Sequence, residues 1–108
     1  MFKERREIEG IIEKYKQELA NLGIRVERVI LYGSYASDKP REDSDIDLIV
    51  ISADFKKMNL RERLEVLGLA AGKVLEPIEA LGYTREEALA KTRESFVGEV
   101  LTSLAITL

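Results

Sequence analysis

The chain has 108 residues, with 17 Lys and Arg, 20 Asp and Glu, and neither His nor Cys. This length predicts a single domain spanning residues 1–108. Without Cys or His, the chain has no disulfide, thiolate nucleophile or cysteine zinc site, and no imidazole acid or base. Any catalysis must therefore use carboxylates, Lys, Tyr, hydroxyl groups or a hard metal ion bound by oxygen.

Charge and hydropathy exclude further classes of protein. The formal net charge of −3 lacks the basic footprint that is typical of strong nucleic-acid binding. No apolar run approaches the roughly 18 residues of a membrane span, and residues 1–7 are too charged for a signal peptide. We therefore expect a cytoplasmic protein that does not bind membranes.

The first half of the chain predicts a helix followed by two strands. Apolar residues at helical spacing indicate a helix over 3–22, and β-branched residues indicate a strand over 25–32. Gly33 and Ser34 then end the strand, with one helical turn at 35–37 and a polar loop to residue 44. The second strand is expected over 45–52, paired with the first like a hairpin.

The second half predicts a helix, a strand and a final helix. Asn59 is a plausible cap for a helix that ends near Gly72, and a third strand follows over 74–81. Pro77 in that strand indicates an edge position or a later start. Thr84 and Glu87 have the spacing of a capping box that opens a helix through about Leu104. The predicted fold class is α+β, a small mixed sheet with helices packed on one face.

Asp45 and Asp47 are the first candidates for chemistry. Residues i and i+2 of a strand share a face, so both carboxylates project from the wet face while Ile46 and Leu48 meet the core. Two carboxylates this close repel each other unless a cation lies between them. Mg²⁺ prefers oxygen ligands and is commonly held by one or two carboxylates plus substrate phosphates.

Gly33 and Ser34 form a second candidate, for binding phosphate. A glycine permits close approach of the backbone to a ligand, and a helix that starts after a strand directs unpaired N–H groups outward. Such an end attracts phosphate, and the Ser34 hydroxyl can add a hydrogen bond. A triphosphate could then span this bend and the two aspartates.

A pair of metal ions would need a third carboxylate. Glu79 on the third strand is the preferred candidate, and it could also orient or deprotonate an acceptor hydroxyl. Glu76 is the alternative, and its opposite strand parity means that only one of the two can face the metal ions.

Gly33-Ser34, ten intervening residues and Asp45-x-Asp47 together resemble the signature of the minimal nucleotidyltransferases in the DNA polymerase β-like superfamily. The resemblance extends over roughly residues 25–90 and implies the polymerase β-like nucleotidyltransferase core. It implies Mg²⁺-dependent transfer of a nucleoside monophosphate, AMP if ATP is the substrate, to a hydroxyl. Asp45, Asp47 and Glu79 would then bind two Mg²⁺ ions and act in catalysis.

The same resemblance assigns the nucleotide to Gly33, Ser34 and Ser44. Basic residues common in the family just after the Gly-Ser are absent here, and Lys39 and Arg41 would supply the positive charge later in the chain. Stand-alone proteins of this size resemble antitoxins whose partner is an all-helical HEPN-domain ribonuclease. Some of these antitoxins attach AMP to a tyrosine of that toxin.

Two other interpretations stay open. The last helix carries a broad apolar stripe, from Phe96 to Leu108, which either covers the sheet or contacts a partner or a second copy of the chain. The chain could therefore be a binding module that neutralises a HEPN partner by docking, with weak catalysis or none. Transfer to a small molecule is disfavoured because no second domain is available to enclose the substrate.

Overall fold

The computed structural model of the chain describes residues 4–32, 45–91 and 106–107. The elements in this part, in chain order, are α1 (Arg5–Asn21), β1 (Arg28–Tyr32), β2 (Ile46–Ile51), a 3-10 helix (Ala53–Lys57), α2 (Leu60–Val74), β3 (Ile78–Tyr83), α3 (Arg85–Lys91) and β4 (Ile106–Thr107). They confirm the α+β class, and the 3-10 helix and β4 are additions to it. The predicted turn at 35–37 and the predicted last helix over residues 92–104 lie outside the described residues. Ile106 and Thr107, within the apolar stripe predicted for that helix, instead pair with β1 as β4.

The four strands form one mixed sheet in the order β3-β2-β1-β4. β1 is antiparallel to both β2 and β4, whereas β2 and β3 are parallel. The hairpin-like pairing of the first two strands is therefore confirmed. The sequence predicted that Pro77 indicates an edge strand or a later strand start. The structure shows both, because β3 begins directly after Pro77 and is an edge strand of the described sheet.

One face of the sheet packs against α1 and α2 and forms the main core. β2 contributes Ile46, Leu48 and Val50 to this face, all with no exposed surface. The buried stripe of α1 consists of Ile8, Ile11, Ile12, Tyr15 and Leu19. Alternation along β2 thus directs Asp47 to the opposite face, while Asp45 directly precedes the strand. None of the helices described here is long and apolar enough to cross a membrane.

The opposite face is apolar away from the aspartates. Ile30, Ile49 and Ile51 are buried there in a second cluster with Ala88 of α3. The predicted packing of helices on one face is therefore confirmed for α1 and α2. α3 instead packs against the opposite face through Ala88.

Two predicted boundaries differ from the structure for local reasons. β1 begins at Arg28 rather than at residue 25, because the Arg25 amide donates to the Asp54 carboxylate (2.7 Å) and its carbonyl accepts from the Ser52 hydroxyl (2.7 Å). These side-chain bonds replace strand pairing. β3 begins at Ile78 rather than at residue 74, because α2 continues to Val74, whose side chain packs against the main core.

The caps predicted at Asn59 and Thr84 are confirmed. The Asn59 side chain accepts from the Glu62 amide (2.8 Å), and the Glu62 carboxylate accepts from the Asn59 amide (2.9 Å). Thr84 and Glu87 make the same reciprocal pair at the start of α3, at 2.7 and 3.2 Å. Each pair satisfies amide donors that would otherwise lack a partner in the first turn of the helix.

Candidate active site

Three polar residues lie side by side across three strands at one end of the sheet. Tyr32 of β1 is opposite Asp47 of β2, and Asp47 is opposite Glu79 of β3. Residues opposite each other in neighbouring strands share a face and are about 5 Å apart along the hydrogen-bonding direction. These residues form one row, called here the Tyr32–Asp47–Glu79 row.

Asp45 extends this row toward the start of β2. It directly precedes β2, two residues before Asp47, and its negative charge contributes to the raised pKa of Asp47. Asp45 and Glu79 are exposed, whereas Asp47 is half-buried between them. Asp45 and the row together therefore contribute three carboxyl groups, of which that of Asp47 is partly withdrawn from water.

The carboxyl groups interact electrostatically. Burial raises the pKa of Asp47, and the negative charges of Glu79 and Asp45 with a hydrogen bond to the Glu79 side chain raise it further, to about 6. Such a rise is typical of a carboxyl group crowded by like charges. Asp47 and Glu79 are thus close enough to share a proton, and Asp45 is close enough to influence it.

The donor chemistry of this surface suits a hard divalent cation. Carboxylate oxygens are the ligands that Mg²⁺ prefers, and a cation among them would relieve their mutual repulsion. Within residues 4–32, 45–91 and 106–107, no three acidic side chains are gathered into a ready-made metal cluster. The fit of Asp45, Asp47 and Glu79 to a metal ion thus rests on the type and charge of their oxygen donors.

The predicted phosphate-binding residues belong to the segment between Tyr32 and Asp45. The predicted nucleotide residues that lie outside the described residues are Gly33, Ser34, Lys39, Arg41 and Ser44. By contrast, the two candidates for the third carboxylate are both described. Glu79 lies within β3 in register with Asp47, whereas Glu76 precedes the strand and its carbonyl accepts from the Ile78 amide (2.9 Å).

Tyr32 is a member of the row that the sequence interpretation did not single out. Burial raises the pKa of its phenol, and the charges of Asp47, Glu79 and Tyr83 raise it further. Its position directly before Gly33 gave a hint, because a strand end beside a candidate phosphate loop lies near the ligand. Its neighbours depend on the pairing register, which the sequence alone does not reveal.

A cleft of about 350 Å³ opens beside the row, between α2 and the edge strand β3. Tyr32 and Glu79 provide its polar lining. The remainder is apolar or small, formed by Leu64, Leu67, Gly68, Ile78, Ala80 and Leu81. A group that enters this cleft would therefore reach Glu79 from the side of α2.

Comparison with known proteins finds nucleotidyltransferases. A family model described as a nucleotidyltransferase domain matches residues 12–98. Protein adenylyltransferase MntA of Thermococcus cleftensis is 37% identical over 76 residues, which cover 65% of this chain and 75% of that protein. A protein of Methanocaldococcus jannaschii, provisionally named a protein adenylyltransferase, is 32% identical over 66 residues. That match covers 60% of this chain and 65% of the relative, slightly less than two thirds of its length.

Two solved structures share the fold. One, from Sulfolobus solfataricus and provisionally identified as a nucleotidyltransferase, aligns with a TM-score of 0.54 at 23% identity over 83% of this chain and 84% of its own. The other is a chain of a toxin–antitoxin structure with AMP-PNP, with a TM-score of 0.51 and 23% identity over 65% of this chain and 55% of its own. At these identities the two structures support the architecture described above.

Proposed function

The chain belongs to the nucleotidyltransferase domain family, and from this premise we propose that it transfers AMP from ATP to a hydroxyl group of a protein. The observation that carries the proposal is the Tyr32–Asp47–Glu79 row, with Asp45 beside it. The row supports the proposal because it groups carboxylates at the end of the sheet where the chain leaves β1 after Tyr32 and enters β2 after Asp45.

We assign the metal ligands to Asp45, Asp47 and Glu79. These residues would hold Mg²⁺, either one ion or two, which when bound would neutralise negative charge on the phosphates and on the attacking oxygen. The exposed position of Asp45 and Glu79 leaves their oxygens accessible to a substrate. Gly33, Ser34, Lys39, Arg41 and Ser44 are proposed to contact the triphosphate, since they belong to the segment between Tyr32 and Asp45.

The reaction forms a bond between the acceptor oxygen and the α-phosphorus and breaks the bond from that phosphorus to pyrophosphate. The acceptor proton must leave as this bond forms. Glu79 is the proposed proton acceptor, because it is exposed and lines the cleft beside α2. Asp47 lies between Glu79 and Asp45, and its proposed role is to bind and position Mg²⁺.

We infer a protein acceptor and an antitoxin role from the named relatives. Two relatives are called protein adenylyltransferases, and a chain of similar fold comes from a toxin–antitoxin structure with an ATP analogue. The family resemblance then suggests a HEPN-domain ribonuclease as the acceptor. ATP as the donor agrees with the cytoplasmic location expected from the sequence.

The test uses labelled ATP, Mg²⁺ and a purified HEPN-domain ribonuclease as the candidate acceptor. We expect label on the HEPN-domain protein with the wild-type chain and a loss of at least 100-fold with Asp45→Asn/Asp47→Asn. Glu86→Gln, which removes an exposed charge from the first turn of α3, is the matched control and should leave transfer unchanged. Undiminished transfer by the double variant would refute the assignment of the site.

A second candidate function is neutralisation by docking, with weak catalysis. It is favoured by the absence of a ready-made cluster of three acidic ligands within the described residues. In cells that express the toxin, Asp45→Asn/Asp47→Asn should still rescue growth if docking suffices. Loss of rescue by a variant that still binds the toxin would reject docking alone and support transfer.

A further inference from the structure

α2 exposes an unusual number of large apolar side chains. Among the residues that the structure describes, the exposed large hydrophobic side chains are those of Leu60, Leu64, Leu69, Leu75 and Leu89. Four of these five lie on α2 or at its C-cap, with exposed fractions between 47% and 86%. Single exposed leucines are ordinary on a protein surface, but leucines concentrated on one helix indicate contact with another molecule.

Two glycines form the floor of a shallow groove between these leucines. At 100° per residue, Gly68 and Gly72 lie between Leu64 and Leu69 around the helix, and these four residues line one surface depression together with the charged Glu65 and Lys73. We call it the α2 groove. A Cβ atom added at Gly68 or Gly72 would meet nothing within 4 Å, so neither glycine is required by packing inside this chain.

The helix is weakened by these glycines, because each costs roughly 0.5–1 kcal/mol relative to alanine in a helix interior. Nothing in the packing of the described residues compensates for that cost. A second helix could compensate, since small residues let two helix axes come closer than the usual 8–10 Å. The groove therefore has the form of a surface that accepts a helix.

The α2 groove leads into the candidate active site. Leu64 and Gly68 line the groove and also line the cleft that contains Tyr32 and Glu79. A molecule seated along α2 would thus extend toward Glu79 without crossing another element of the described fold.

We propose that the α2 groove binds an amphipathic helix of the acceptor protein and thereby brings the acceptor hydroxyl to the Glu79 cleft. This inference rests on the proposed function, because it assumes that the acceptor is a protein. From Leu64 to Lys73 the α2 groove is about 14 Å long, enough for two to three helical turns of a partner. Apolar residues of the partner spaced three and four apart would pack along it.

A second copy of this chain is the less suitable occupant. Packing of α2 against α2 of another copy would cover Leu64 and Gly68, and these residues form the border of the Glu79 cleft. The acceptor would then lose its access to Glu79. We therefore assign the groove to the acceptor protein.

The experiment measures binding of the HEPN-domain protein used above, by calorimetry without ATP, to the full chain and its variants. Gly68→Arg fills the groove with a long side chain that is also a good helix former. Leu69→Glu replaces an apolar side chain in the groove wall with a negative charge. Both should raise the Kd at least tenfold without lowering the Tm, and Leu69→Glu, which lies outside the Glu79 cleft, should leave the affinity for ATP unchanged. The matched controls are Gly10→Arg in α1, where an added Cβ also meets nothing within 4 Å, and Leu89→Glu in α3.

The outcomes separate this inference from the proposed function. Loss of binding in Gly68→Arg but not in Gly10→Arg supports the groove, even if wild-type protein transfers no label. An unchanged Kd in Gly68→Arg and Leu69→Glu would overturn it, and so would failure of the wild-type chain to bind. A wild-type dimer in sedimentation that Gly68→Arg converts to monomer would also overturn it, because the occupant would then be a second copy.

Discussion

Asp47 occupies a position that is unfavourable for folding when no cation is bound. Its side chain is half-buried, and Glu79 and Asp45 place negative charge on both sides of it. Charge repulsion of this kind opposes folding, and functional sites commonly contain it. The stability of the metal-free protein should therefore increase when this charge is removed.

We predict that Asp47→Asn raises the stability of the chain in EDTA at pH 7.5 by about 1 kcal/mol, or roughly 4–8 °C in Tm. Addition of Mg²⁺ should then raise the Tm of the wild type more than that of the variant. Thermal unfolding followed by circular dichroism provides the measurement. A variant with lower Tm than wild type in EDTA would contradict the repulsion argument.

Gly82 is required by close packing within β3. A Cβ atom at this position would lie 2.8 and 2.9 Å from the Phe55 ring and 3.2 Å from a methyl carbon of Leu67. We expect Gly82→Ala to destabilise the protein by about 1–3 kcal/mol through overpacking. Gly72→Ala should instead stabilise it by roughly 0.5–1 kcal/mol. Urea denaturation of both variants tests the contrast, and equal effects would contradict it.

At the scale of elements, one arginine joins α2 to the segments around it. The Arg63 guanidinium donates to the carbonyls of Met58, Phe55 and Gly82, and makes a two-bond contact with Glu87 of α3 at 2.7 and 3.0 Å. It also lies 5.7 Å from the centroid of the Phe55 ring. A single side chain thus connects the 3-10 helix, α2, β3 and α3, which explains why a nearly buried charge is tolerated.

Glu87 makes this junction sensitive to acid. The hydrogen bond from Arg63 and bonds with Thr84 hold the pKa of its carboxyl below the ordinary value of 4.5, although partial burial acts in the opposite direction. The unfolded state therefore takes up its proton first as the pH falls. The stability from this pair is complete above about pH 4.5 and is lost as the pH falls through the lower, folded-state pKa.

We accordingly expect Glu87→Gln to show a shallower loss of stability than the wild type between about pH 5 and pH 3. Urea denaturation at a series of pH values measures this slope. Glu86→Gln, one residue earlier and exposed, is the control and should retain the wild-type slope. Parallel curves for Glu87→Gln and wild type would refute the prediction.

At the scale of the whole molecule, α1 is attached to α2 by a buried hydrogen bond. The Tyr15 hydroxyl donates to the Leu67 carbonyl at 2.9 Å, and the Tyr15 side chain has no exposed surface. Burial raises the pKa of this phenol, so it remains a neutral donor. The contact joins residues 52 positions apart and fixes the two helices that cover the main core.

We predict that Tyr15→Phe lowers the free energy of unfolding by about 0.5–1.5 kcal/mol, because the Leu67 carbonyl loses the Tyr15 donor and keeps its backbone donor within α2. The urea m-value should not change, since the surface exposed on unfolding is nearly the same. A loss below about 0.5 kcal/mol would indicate that the carbonyl finds another partner.

Much of the fold could be predicted from local patterns. The apolar spacing of α1, the caps at Asn59 and Thr84, and the alternation of β2 each depend on residues a few positions apart. The start of β1 and the end of α2 could not be predicted. The Arg25 amide is bound by the distant Asp54 carboxylate, and packing of Val74 against the main core extends α2. Long-range contacts overrode local preference at both places.

The candidate site divides in the same way. That Asp45 and Asp47 share one face follows from the sequence, because the two-residue period of a strand is a local property of its backbone. That Glu79 and Tyr32 join them was decided by the tertiary structure, since the pairing register connects residues separated along the chain by α2 and by the 33–44 segment. Register depends on the packing of whole strands and helices, so only the folded chain determines which side chains become neighbours in the row.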